Sequence, residues 1–424
     1  MKRARGADEM AAPTLRHCVL GAFTDEATDA QKEAMVQAMR AMAAKIPQIC
    51  SLVVGLDAGL APGNHGFAAN VDFASAEDYQ IYATHPEHVA VITNFIKPIL
   101  KPGSRTAVQF ALPPASLKYY IFGHPVLMSP SPDIHNTGFA CNGAAHVYER
   151  FDTEDAAEVI RTVRGAGCGG GSVTIPHKES VMADMDELTE SARRIGAVNT
   201  ITKLGDGRLR GDNTDWLGIK NQLEAKAPPR AAGVGPIGLI CGAGGTAKAA
   251  AFALQKMGAE RVLIFNRTKS RAEQLASEYG AGFEAVDDLS VLDGLERLDF
   301  IVDTLPGSTG FTLPPAQAAL LGRFKPTCLE AAYIPRHTAF VSQALESGCR
   351  VVEGVEMLFE QGCAQCTIWT GKPAPRGAIA ATLLQQLFST PSAHPAAEKM
   401  EPRHQPPDAL TREVAAAGGG APTA

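Results

Sequence analysis

The feature that most constrains this chain lies past its midpoint. Pro236–Cys241 is a short apolar run, Gly242-Ala243-Gly244-Gly245-Thr246-Ala247 follows at once, and Lys248–Met257 is Ala-rich and helical. A glycine-rich turn between strand and helix lets backbone amides approach a phosphate at the helix N-terminus, and it belongs to open parallel α/β sheets. A second strand, Arg261–Phe265, ends in Asn266-Arg267-Thr268. A site for a plain dinucleotide carries an acid about twenty positions past the turn, on the ribose 2′-hydroxyl; an arginine there favours a 2′-phosphate. No acid stands at this tip, so the expected cofactor is NADP. Gly242, Ala243, Gly244, Gly245, Thr246, Asn266, Arg267 and Thr268 are the residues expected to hold it. Lys269 and Arg271 read equally well as solvated helix residues.

A chain of 424 residues predicts two or three folding units, and 45% hydrophobic with 20% charged residues is ordinary for globular cores. A formal charge of −6 argues against a nucleic-acid partner. No apolar run approaches the ~20 residues of a membrane span, and no apolar stretch follows the basic start, so neither a membrane nor a secretory segment is expected. Nine scattered cysteines fit reduced thiols and a cytoplasmic setting. The spacing of Cys363 and Cys366 lacks a second pair, so it reads as two small apolar residues on a helix, and no metal site is expected.

Composition divides the chain. Residues 1–12 read as a loose leader and 14–112 as a compact block closed by the linker Leu112-Pro113-Pro114-Ala115-Ser116. Residues 117–390 alternate short strands with helices. From 391 to 424 the chain is rich in Pro, Ala and Gly and is expected to be disordered.

In the first block, strands are predicted at His17–Leu20, Ser51–Leu56, Gly66–Phe73 and Thr106–Ala111. Thr28 to Gln31 has the pattern of a capping box, Met35, Ala38, Met39, Met42 and Ile46 recur at helical spacing, and Pro47 is expected to end that helix. Shorter helices are predicted at Ala76–Ala83 and Val89–Ile99. So few helices cannot cover both faces of the sheet, which predicts a homodimer. The order, and above all Tyr82-Ala83-Thr84-His85-Pro86-Glu87-His88 with His17 and Gly55, resembles the stress-responsive A/B barrel family. That resemblance implies a ferredoxin-like α+β barrel that dimerises face to face. One branch contains polyketide cyclases, whose catalytic Tyr and His fall on Tyr82 and His88. The competing reading is a structural lock where the chain turns.

In the second block, the strand Tyr119–Gly123 runs into Ser129-Pro130-Ser131-Pro132, whose prolines fix two hydroxyls at a helix start, where a carboxylate would be held. The plain alternative is an ST-turn with a helix cap. Gly171-Ser172-Val173-Thr174-Ile175-Pro176-His177-Lys178 places a lysine past a proline turn. Partly desolvated, it would be tuned for proton exchange, although a lone lysine is more often a surface residue. Gly196–Thr200 opens a hairpin that turns at Gly205-Asp206-Gly207 and returns into Asp212-Asn213-Thr214-Asp215-Trp216, with Asn199 and Asp215 near opposite ends of the ribbon.

As a set, these segments resemble the shikimate/quinate dehydrogenase family over residues 118–390. The resemblance implies an α/β substrate domain at 117–220, completed by helices within 355–390, and a Rossmann NADP domain at 235–354. It implies Lys178 and Asp215 as the catalytic pair, Ser129 and Ser131 on the substrate carboxylate, and Thr174 and Asn199 on ring hydroxyls. Glu330-Ala331-Ala332-Tyr333 and Gly354-Val355-Glu356-Met357-Leu358 with Gln361 match further family segments, adding Tyr333 and Gln361 to the substrate and Gly354 to the cofactor. Gly377–Leu387 should cross back over the substrate half. The family usually has Asn where this chain has Ser172 and where it has Asp303, and Asp where it has Glu330. The expected activity is NADP-dependent interconversion of shikimate and 3-dehydroshikimate, with quinate second. The alternatives are a non-catalytic ligand-sensing regulator and a bifunctional fusion with a barrel cyclase.

Overall fold

The computed structural model describes residues 14–60, 65–112, 116–231, 233–389 and 406–417. The leader, the centre of the linker and most of the tail lie outside them. The chain divides into two compact units, residues 1–115 and 116–424.

In the first unit, β1 (Leu15–Gly21), α1 (Asp29–Ala43), β2 (Ile49–Leu56), β3 (Phe67–Phe73), α2 (Ala76–Thr84), α3 (Pro86–Val91) and β4 (Thr106–Ala111) follow in order. The antiparallel sheet runs β2-β3-β1-β4, the ferredoxin-like arrangement. Thr28 caps α1 in the expected box with Gln31. The helix stops at Ala43, before Pro47, so proline is not its terminator. The helix expected over 89–99 is α3 followed by a π-helical turn at Ile92–Ile96. Met35, Met39 and Met42 pack with Phe67, Val71 and Phe73 to cover one sheet face. On the other face, Leu20, Val53, Val108 and Phe110 are exposed.

The second unit opens with β5 (Lys118–Gly123), α4 (Ser131–Cys141), β6 (Val147–Asp152), α5 (Ala156–Arg164), β7 (Cys168–Val173), β8 (Glu187–Leu188), α6 (Glu190–Ile195), β9 (Thr200–Lys203), β10 (Leu209–Asp212) and α7 (Asp215–Lys226). Their sheet order is β6-β5-β7-β9-β10-β8. A second sheet follows, built from β11 (Ile237–Cys241), α8 (Gly245–Lys256), β12 (Arg261–Phe265), α9 (Lys269–Tyr279), β13 (Phe283–Val286), β14 (Phe300–Asp303), α10 (Pro315–Phe324), β15 (Thr327–Glu330), α11 (Ala339–Glu346) and β16 (Arg350–Val352). Its strands are all parallel in the order β13-β12-β11-β14-β15-β16, the doubly wound dinucleotide-binding topology. The central strands are apolar at Leu239–Cys241, Val262–Phe265 and Phe300–Val302 because helices cover both faces.

Two long helices return to the first of these sheets. α12 (Gly354–Thr370) packs on α4 and α7, and α13 (Arg376–Ser389) packs on α4. The expectation of a disordered tail is corrected for part of its length: α14 (Asp408–Ala416) buries Ala409, Leu410 and Val414 against α13. The backbone N–H of Ala409 donates to buried Glu356, and Arg376 bridges Glu360 and Glu413. A three-residue apolar stripe is enough to dock a short helix, and averaging over a Pro- and Ala-rich segment hid it.

Candidate active site

The site forms where β7, the β9–β10 hairpin and the start of α7 meet the N-terminus of α8. The turn after β7 carries Lys178 to α7, where its Nζ donates to Asp215 Oδ2 at 2.6 Å. Both side chains are largely buried, at 13% and 6% exposure, so this pair is shielded from water and not a screened surface contact. The lysine also reaches Thr246 Oγ1, at 3.5 Å, in the first turn of α8. Substrate-half and cofactor-half residues thus converge on one ammonium group.

Asn199 and Asp215 are not at opposite ends in space. Antiparallel pairing of β9 with β10 folds the ribbon back, and Asn199 Nδ2 donates to Asp215 Oδ1 at 2.8 Å. Neither residue lies in a strand: Asn199 precedes β9 and Asp215 opens α7. Asn199 Oδ1 accepts from the Thr214 backbone N–H at 2.8 Å, and Gln361 Oε1, on α12, accepts from Asn199 Nδ2 at 3.2 Å. The carboxylate of Asp215 therefore has one oxygen on the amide and the other on the lysine.

Ser129 and Ser131 are buried at the start of α4, their hydroxyls 3.0 Å apart. The Ser131 backbone N–H donates to Ser129 Oγ, so the turn geometry is present, but neither hydroxyl caps the helix. Arg150, on β6, anchors the turn by donating from Nε and an Nη to the Ser129 carbonyl at 2.9 and 2.6 Å. Tyr333 reaches the same corner: burial pushes its phenol pKa up, and a hydrogen bond with Ser129 opposes that rise. Thr174 lies at the end of β7, its Cγ2 against Gly123. Arg150 escaped the sequence reading because one arginine in an edge strand looks like surface charge.

The glycine turn fits a dinucleotide pyrophosphate. Gly242 has φ +115°, and a Cβ there would meet Thr304 Oγ1 at 2.3 Å, so only glycine lets the turn pass. Ala243 is buried behind it, while Gly244 and Gly245 begin α8 with no side-chain cap, leaving its first amides open to an anion. At the tip of β12, Asn266 folds back on the Thr268 carbonyl and Arg267 is exposed, with no hydrogen bond or ion pair among the described residues. A free guanidinium there suits a 2′-phosphate. Lys269, by contrast, is paired with Asp287. Gly354 starts α12 against the Ala332 carbonyl, where a Cβ would sit only 2.3 Å away, which makes its visible role close packing.

In the first unit, Tyr82 and His88 lie against each other with ring centroids 4.0 Å apart and the rings tilted by 31°, and His88 Nδ1 bonds the Ala83 carbonyl at 3.2 Å. Burial pushes the Tyr82 phenol pKa up and holds His88 below the usual imidazole range, while His17 is pushed down to about 4. His17 lies beside them, bonded to Gln109 at 2.6 Å. The rings form a packed aromatic cluster. Among the described residues no group of three or more acids, histidines or cysteines could hold a metal, and none of the nine cysteines is in a disulfide.

Residues 121–201 match the family model for the shikimate dehydrogenase substrate binding domain, 237–310 that for shikimate / quinate 5-dehydrogenase, and 354–384 that for the shikimate 5′-dehydrogenase C-terminal domain. Residues 15–111 match the stress responsive A/B barrel domain. Shikimate 5-dehydrogenase from Thermus thermophilus, solved with NADP(H) and shikimate, is 32% identical, with 62% of this chain and 97% of that one covered at a TM-score of 0.52. Quinate dehydrogenase from Corynebacterium glutamicum, solved with NAD, is 25% identical, with 64% and 99% covered at 0.56. The pentafunctional AROM polypeptide of Komagataella phaffii is 39% identical over 267 residues, which span 60% of this chain but only 17% of that relative. The chain therefore carries a stress responsive A/B barrel domain fused to, and belongs through its larger part to, the shikimate / quinate dehydrogenase family.

Proposed function

We propose that residues 117–390 form an NADP-dependent dehydrogenase that interconverts shikimate and 3-dehydroshikimate and also accepts quinate. The observation that carries this reading is the shielded Lys178–Asp215 pair beside Thr246, at the junction of the two halves. NADP, when bound, supplies the hydride acceptor. In the reducing direction the Lys178 ammonium gives a proton to the carbonyl oxygen as hydride reaches the same carbon. In the oxidising direction its neutral amine takes the hydroxyl proton as hydride leaves, and Asp215 holds the lysine in place and balances the charge of the ammonium. Ser129, Ser131 and Tyr333 supply hydroxyls for the substrate carboxylate, and Thr174, Asn199 and Gln361 supply partners for ring hydroxyls. Gly242 to Thr246 hold the pyrophosphate and Arg267 the 2′-phosphate. A pure sensor would not need an acid–base pair against the cofactor helix, which disfavours the regulatory alternative.

Lys178→Ala tests this directly. It should bind NADP and shikimate almost as the parent does while kcat falls by ~10²–10⁴-fold, the usual contribution of a general acid–base group. Near-normal turnover would remove the lysine from the mechanism.

Two further assignments belong to this reading. The exposed apolar residues on the open face of the barrel sheet, Val53 at 67% and Val108 at 54% exposure beside the Arg16–Asp72 ion pair, support a homodimer formed face to face through the first unit. Sedimentation should give twice the monomer mass, and Phe110→Lys should restore the monomer; a parent chain that is monomeric at micromolar concentration contradicts it. Nine cysteines, none of them in a disulfide, support a cytoplasmic setting, which disulfide formation in the cell-extracted chain would oppose. Among the described residues no helix is long and apolar enough to cross a membrane.

A further inference from the structure

Behind the catalytic pair lies a second set of polar groups that touches neither the candidate substrate ligands at 129–131 nor the glycine turn. Tyr148 on β6, Ser172 on β7, Thr200 on β9 and Gln365 on α12 are each at most 5% exposed. Buried polar groups of this kind are costly unless every partner is satisfied, and here they are satisfied by one another. The Tyr148 hydroxyl donates to Ser172 Oγ at 2.6 Å, and Ser172 donates to Gln365 Oε1 at 2.8 Å. Gln365 Nε2 donates to Thr200 Oγ1 at 2.9 Å and to the Asn199 main-chain carbonyl at 3.1 Å. Thr200 Oγ1 donates to Asn199 Oδ1 at 2.7 Å. Asn199 Nδ2 then donates to Asp215, which holds Lys178.

The order of donors is fixed by one group that cannot turn. A backbone carbonyl only accepts, so the Asn199 carbonyl forces the Gln365 amide to face it with nitrogen. That leaves Gln365 Oε1 for the Ser172 hydroxyl and makes Thr200 an acceptor from Gln365. Thr200 must then give its own proton to Asn199 Oδ1, and Asn199 must turn its NH₂ toward Asp215. The Thr214 N–H reinforces the last step. Gln365 also sits one helical turn from Gln361, so α12 grips Asn199 at its main chain and at its amide. Ser172, shorter than asparagine, leaves room for the Tyr148 hydroxyl to close the far end.

We propose that Gln365 and Thr200 are positioning residues for the dehydrogenase reaction: through Asn199 they hold Asp215, and with it Lys178, in the geometry of proton transfer. This rests on the dehydrogenase reading of the same site. The pair itself does not touch substrate, so its loss lowers kcat through the Asp215–Lys178 pair and weakens shikimate binding only through the contact that Asn199 makes.

Thr200→Val and Thr200→Ser separate this role from packing. Valine keeps the shape and loses the hydroxyl; serine keeps the hydroxyl and loses a methyl. The relay predicts that Thr200→Val lowers kcat by about tenfold or more, as small misplacements of reacting groups do, while Thr200→Ser stays within about threefold of the parent. NADP affinity, measured by calorimetry, should be nearly unchanged in both, and shikimate affinity of the cofactor-free chain should fall by much less than kcat does in Thr200→Val. Gln365→Met should behave as Thr200→Val, and should cost little further rate in a Lys178→Ala background, because groups acting as a unit are not additive. Packing alone gives the reverse order at Thr200, with valine harmless and serine impaired, and equal losses in both backgrounds for Gln365→Met; that pattern overturns the relay. A parent chain that turns over neither shikimate nor quinate overturns the dehydrogenase reading and the relay with it. An active parent with a fully active Thr200→Val overturns the relay alone.

Discussion

Asp303 ends β14 directly beside Glu330 at the end of β15. Burial, aided by the neighbouring carboxylate, raises its pKa to about 8. The unfolded chain releases that proton near the ordinary carboxylate range, around 3.8. Between about pH 4 and about pH 8 the folded state therefore holds a proton that the unfolded state has lost, and stability falls as pH rises through that window. An asparagine side chain at this position would stay neutral and still accept the Leu305 backbone N–H. Asp303→Asn should be more stable than the parent at pH 8, by an amount on the order of a few kcal/mol, with the gain vanishing toward pH 4. Melting curves across that range check it, and a gain independent of pH would contradict the assignment. At this scale the sequence was most legible where a residue type is rare for its context. Lys178 after a proline turn and two acids and an amide around a hairpin stand out; Thr200 and Gln365 do not, because a threonine in a strand and a glutamine in a helix need no special explanation. Only the four-residue interval from Gln361 to Gln365 places both on one helix face.

Elements were legible in proportion to how local their causes are. The apolar centres of β11, β12 and β14 and the glycine turn after β11 follow from burial on both faces and from the φ +115° at Gly242. The α1 capping box is likewise local to Thr28 and Gln31. The end of α1 is not: it stops at Ala43 because the chain must turn into β2, and Pro47 merely lies in the connection. α14 is the clearest failure of composition as a guide. Its few apolar residues form a helix because α13 and Glu356 are there to receive them. Hairpin closure is a tertiary fact of the same kind, and it brings Asn199 to Asp215 although sixteen residues separate them.

At the scale of the molecule, two units with separate cores share one chain. In the first, a helix layer covers one sheet face and leaves Leu20, Val53, Val108 and Phe110 exposed on the other, beside the Arg16–Asp72 ion pair. In the second, α12 and α13 return from the cofactor half to the substrate half, so Gln361 and Gln365 reach Asn199, which lies 162 and 166 residues before them. The consequence is that the site exists only when both halves are folded together. The central claim is catalytic, and the most direct measurement is reduction of NADP and of NAD by the purified full chain with shikimate and with quinate each offered in turn. Turnover is expected with NADP and shikimate, slower turnover with quinate, and a marked loss with NAD in place of NADP. A folded chain that binds NADP but is silent in all four combinations would contradict it.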